Sequence, residues 1–108
     1  MNNKKNNSKE NPYLLRDWSL ICTTRDLIYK APELYEYSLQ GKVYNNYKFL
    51  NDTNITTSYI KNIDGLYIET ISNSIYKLDG LPNKNYIDYC KEKNIVIDND
   101  NPIKFIKL

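Results

Sequence analysis

The sequence predicts a mainly β fold: a small antiparallel β-barrel or curled sheet of five to six strands, with one short helix in the C-terminal half. Three observations carry this expectation. Residues 34–44 alternate cleanly, with Tyr35, Tyr37, Leu39, Gly41 and Val43 on one face and Glu36, Ser38, Gln40 and Lys42 on the other. Asp64-Gly65 lies between two β-rich runs, the strongest hairpin signal in the chain. Only one stretch, residues 84–94, repeats its apolar side chains at helical spacing. At 108 residues the chain suits one domain.

Residues 1–12 read as a polar, disordered N-terminal tail, because 1–11 hold nothing to bury against the entropy of ordering; residues 13–108 read as a single β-rich domain. Residues 17–23 alternate Trp18, Leu20 and Cys22 against Ser19, Ile21 and Thr23, which predicts a strand. Residues 25–33 read as a loop, with Pro32 biasing Ala31 toward extended geometry. Gly41, inside the next strand, predicts a bulge or bend that curls the sheet. Residues 45–54 read as a turn-rich loop anchored by Phe49 and Leu50. Strands are expected over 55–63 and 66–72, joined by a type I′ turn at Asp64-Gly65, and over 75–78 after a turn at Ser72-Asn73-Ser74. A meander would connect them. In the helix Tyr86, Ile87 and Cys90 share a face, Asn83 suits the N-cap and Asn94 the left-handed C′ position. Of the apolar runs 95–97 and 103–108, at least one is expected to close the sheet.

Composition excludes more than it assigns. There is no His, which removes His-based triads, Cys–His dyads and His-liganded metal sites. The net charge of +2 comes wholly from the tail: without Lys4, Lys5, Lys9 and Glu10, acidic and basic groups balance. A neutral body argues against a strongly basic nucleic-acid cradle. Three glycines could hardly build a phosphate-cradling loop, and no G-x-S-x-G motif occurs. Asp98-Asn99-Asp100-Asn101 opens like a calcium loop but lacks the Gly and Glu that would complete it. Cys22 and Cys90 read as inert core thiols. No cofactor and no metal are expected. Lys residues near the start are followed by no apolar segment, and no apolar run approaches a membrane span, so a cytoplasmic protein with reduced thiols is expected.

The 11 Tyr are the most distinctive chemistry, although Asn, Lys, Ile and Tyr all have AT-rich codons. Tyr35 and Tyr37 belong with the core face, and Tyr67 and Tyr76 lie near turns. Tyr44, Tyr47 and Tyr59, around the 45–54 loop, are the candidate binding residues: exposed Tyr gives rigid contact area at low entropy cost.

Gly41-Lys42-Val43-Tyr44, Thr57-Ser58-Tyr59-Ile60, the T-x-S-x-S-x-Y-x-L element over residues 70–78, and Asn101-Pro102-Ile103 resemble, in this order, a group of short bacterial β-rich proteins. The likeness runs from about Leu15 onward, with Asn73 standing where Gly is expected. It implies one compact domain and brings no activity.

The leading functional expectation is a small non-catalytic protein-binding or inhibitory module. Small size and composition also fit an accessory protein of a phage or mobile element acting against a host defence system. The partner would be a protein, with a homodimer through an edge strand as the simplest case and no membrane. A nucleic-acid or nucleotide-binding small barrel is the alternative, and an enzyme using a carboxylate or Ser/Thr site the third.

Overall fold

Residues 7–24 and 35–103 are described in a computed structural model, as six strands and one helix: β1 (Tyr13–Thr24), β2 (Tyr35–Tyr44), β3 (Thr53–Thr56), β4 (Ile60–Asp64), β5 (Tyr67–Thr70), β6 (Ile75–Leu78) and α1 (Lys84–Glu92). The expected 25–33 loop, the first six tail residues and residues 104–108 lie outside the described residues. The strands form one open sheet in the order β3-β2-β1-β6-β5-β4. Its class is the expected one, a curled, mainly β sheet with one helix. The connectivity is not a pure meander: β1 and β6 pair in parallel, Tyr13 against Tyr76 and Leu15 against Leu78.

The two edge strands, β3 and β4, are consecutive in sequence. The run expected as one strand over 55–63 is therefore two strands, broken at residues 57–59. Four chain steps from Thr56 to Ile60 reach at most about 15 Å. A flat sheet of six strands would set its edges about 24 Å apart. The short connection therefore forces the sheet to curl, and the concave side becomes the core.

A bulge in β1 fills that core. Arg16 pairs with Lys42 and Ser19 with Gln40, so Asp17 and Trp18 together oppose Gly41. Asp17 takes φ 53°. The extra residue shifts the alternation by one, which is why Leu15 and Trp18, three apart, are both fully buried. Leu39, Val43, Ile68, Leu78 and Ile103 complete the centre. On β2 Tyr37, Leu39, Gly41 and Val43 keep the predicted inner face, while Ser38 on the opposite face is also buried. Cys22, expected in the core, is exposed; Cys90 is buried.

The helix forms where expected. Asn85 N donates to the Asn83 side-chain oxygen at 2.9 Å, capping α1. At its other end Asn94 (φ 59°) ends the helix, with Asn94 N donating to Lys91 O and Ile95 N to Cys90 O. That pair of bonds is a Schellman motif, and Ile95 packs on the core as the motif favours. Tyr86 sets its ring 5.7 Å from Trp18, and Asn83 N donates to Trp18 O at 2.7 Å, fixing α1 across the sheet opening. Residues 95–97 form no strand: Ile95 and Ile97 pack on the core as irregular chain and Val96 is exposed.

One turn differs in detail from expectation and one forms where expected. Asp64 pairs with Tyr67, so the loop is Gly65-Leu66 with positive φ (62°) at Gly65 alone, the type II′ pattern. Between β5 and β6, Asn73 holds φ 64°, a conformation Asn tolerates in place of Gly. Of the expected tail, residues 7–11 turn against the sheet: Asn7 Nδ2 donates to Ile75 O at 2.9 Å and Ile75 N donates to Asn7 Oδ1. Among the described residues no helix is long and apolar enough to cross a membrane.

Candidate functional site

Residues 45–52 join β2 to β3 and project from the sheet end. Asn45 (φ 67°) and Asp52 (φ 74°) supply the left-handed positions the turn needs, which Asn and Asp adopt more readily than other side chains. Asn45 N donates to Asn51 Oδ1 at 3.1 Å, Lys48 N to Asn46 Oδ1 at 3.0 Å and Thr53 Oγ1 to Leu50 O at 2.6 Å. Asn46 is buried beneath the turn. With the backbone occupied in this way, the large side chains point outward: Tyr47 is 57% exposed, Phe49 42% and Leu50 84%. The expectation that Phe49 and Leu50 anchor the loop is overturned. Asn46 anchors it instead: its side-chain oxygen accepts from Lys48 N and its backbone carbonyl from Phe49 N, each at 3.0 Å.

Tyr44 braces this tip. Its hydroxyl donates to Asp52 Oδ1 at 2.7 Å, and the Arg16 guanidinium lies 4.5 Å above its ring. Arg16 Nε in turn donates to Asp79 Oδ2 at 2.7 Å. The hydrogen bond to Asp52 raises the Tyr44 phenol above its ordinary pKa, against the opposing pull of Arg16. Tyr47 contributes, after burial, to the raised pKa of Tyr13, so the tip adjoins the start of β1.

Tyr59 lies elsewhere. It lines a groove of about 370 Å³ with Ile21, Thr57 and exposed Ile71, at the far end of β3. Ile71 N donates to Tyr59 O and Thr57 N to Leu39 O, both at 2.8 Å. Here two sequence elements meet: the Ser58 and Ser72 hydroxyls are 2.8 Å apart, and Ser72 and Thr70 3.0 Å. The structure thus brings Tyr44 and Tyr47 together at one end and places Tyr59 at the other. Tyr76, read as turn-proximal, is buried with its ring 5.4 Å from Tyr13.

A second concavity, about 300 Å³, is lined by Asp17, Gln40, Asn54, Asn83 and Asn85 among others. Asn83 Nδ2 donates to Asp17 Oδ1 at 3.2 Å across it. Its amides can donate and accept hydrogen bonds, and the one carboxylate there is tied to the Asn83 amide. Among the described residues no group of three His, Cys, Asp or Glu could hold a metal ion.

Sequence reasoning missed Phe49 and Leu50 as surface residues. The available signal was their setting: flanked by Lys48 and Asn51, they belong to no alternating pattern that would assign them an inward face.

Comparison with family models, with curated proteins and with solved structures finds no match. Nothing in it bears on the likeness to short bacterial proteins.

Proposed function

We propose that the chain is a small non-catalytic protein-binding module whose contact centres on the tip formed by Tyr47, Phe49 and Leu50. The supporting observation is that three large apolar side chains stand exposed on one turn already fixed by side-chain hydrogen bonds. Such a surface loses little entropy on binding and offers the aromatic area typical of interface anchors. Tyr44 serves it as a brace through Asp52. Inhibition is the readiest action for a module of this kind, which covers a partner's surface; a homodimer is its simplest partner. An accessory role against host defence rests on size and composition alone.

The test is capture of partners from cell extract by the tagged chain, with and without nuclease, beside a Tyr47→Ala/Leu50→Ala variant. A protein retained after nuclease and lost with the variant supports the reading. Loss on nuclease treatment selects the nucleic-acid alternative, and equal capture by the variant removes the tip from the site.

A further inference from the structure

The two edges of the sheet are guarded differently. β4 carries Lys61 and Asp64; Lys9 pairs with Asp64, and Lys61 lies 3.6 Å from Glu69. Charges along an edge discourage pairing with another chain. β3 (Thr53-Asn54-Ile55-Thr56) has no charge and no Pro, and among the described residues pairs with β2 alone. The bond from Thr57 N to Leu39 O sets the alternation of the β2–β3 ladder. Ile55, opposite Gly41, directs its N–H and C=O into the sheet, so those of Asn54 and Thr56 face outward.

We infer that β3 pairs antiparallel with β3 of a second copy, about a two-fold axis at Ile55. This rests on the protein-binding reading and names its partner. In that register Asn54 faces Thr56 of the second copy and Thr56 faces its Asn54, which lets all the outward N–H and C=O groups of both residues pair. A two-fold also reverses the strands, so the Leu50 end of one copy runs beside the Tyr59 end of the other. The projecting apolar tip, Phe49 and Leu50, then adjoins the groove between Tyr59 and Ile71, twice by symmetry. Both features flank the same four-residue strand, and each supplies what the other lacks.

Sedimentation equilibrium on the purified full chain tests this. The expected result is a monomer–dimer equilibrium. Asn54 and Thr56 have exposed side chains, so substitution there leaves the core intact, which far-UV circular dichroism checks. Asn54→Lys/Thr56→Lys sets like charges opposite one another at both pairs and should weaken dimerisation about tenfold or more. Asn54→Lys/Thr56→Glu sets opposite charges there and should dimerise at least as well as the parent. A monomer at every soluble concentration overturns the pairing, as does a dimer in which the two double variants behave alike. A monomer that still captures another protein through Tyr47 and Leu50 overturns the self-pairing alone and leaves the protein-binding reading standing.

Discussion

Gly41 lies directly beneath the β1 bulge: a Cβ placed on it would come 2.8 Å from the Arg16 carbonyl oxygen and 3.1 Å from Trp18 Cα. Both neighbours are backbone atoms of a bulge whose own Asp17 holds a left-handed φ, so neither can retreat without disturbing the ladder. Gly41→Ala is therefore expected to destabilise by about 1–3 kcal/mol, the usual range for overpacking. Urea denaturation measures it. An unchanged midpoint would mean that β1 runs without the bulge.

The side chain of Asn7 closes a ring with the backbone of Ile75, donating through Nδ2 and accepting through Oδ1. A net hydrogen bond contributes about 0.5–1.5 kcal/mol, so deleting residues 1–11 should cost about 1–3 kcal/mol. The exposed Lys9–Asp64 pair adds little to that. Asn7→Ala should reproduce most of the loss, whereas Lys9→Ala should not. Equal urea midpoints for the truncated and full chains would show that the docking of Asn7 contributes nothing.

Tyr86 is buried on α1, and its phenol pKa is raised first by that burial and then by the neighbouring Cys90 thiol. Burial likewise raises Tyr76 and Tyr13. Once pH passes the unfolded phenol value of 10.0, the unfolded chain releases protons that the folded chain still holds. The contribution of these groups is complete below that pH and is lost as pH rises through the raised folded values. Tyr86→Phe should flatten the alkaline fall in stability. At neutral pH it should be neutral or slightly stabilising, since the hydroxyl has no oxygen or nitrogen partner. A series of urea midpoints from neutral pH to beyond about pH 11 decides the matter. An unchanged alkaline slope would place the ring in solvent.

What was legible in the sequence was local. The β2 alternation, the α1 caps at Asn83 and Asn94, and the β-turn at Asn73 are each set by neighbours within a few residues. What was not legible depends on contacts distant in sequence. Residues 55–63 carry no Gly or Pro to mark a break, and the strand splits because its halves join opposite edges of the sheet. The β1–β6 parallel pairing, likewise, joins residues more than sixty positions apart. The β1 bulge hid the inward phase of Tyr13 and Leu15, since an unbroken alternation back from Trp18 would turn both outward. For the candidate surface, residue type led to Tyr44 and Tyr47. Phe49 and Leu50 were misread because an apolar side chain in a short turn has no periodicity to say which way it points.

The three candidate tyrosines should separate under alanine substitution. Tyr47 is exposed, so Tyr47→Ala should shift stability by no more than about 0.5 kcal/mol while weakening capture of a partner at the tip. Tyr44 acts through Asp52, so Tyr44→Phe should loosen the turn and weaken capture less than Tyr47→Ala does. Tyr59 lines the groove at the opposite end of β3. If the partner is another protein held by the tip alone, Tyr59→Ala leaves capture unchanged. If the partner is a second copy, tip and groove meet each other, and Tyr47→Ala and Tyr59→Ala should weaken self-association together. Urea midpoints alongside the binding measurements separate lost contact from lost fold. Normal binding by both Tyr47→Ala and Tyr59→Ala would remove this surface from the function, because one substitution samples the tip and the other the groove at the two ends of β3.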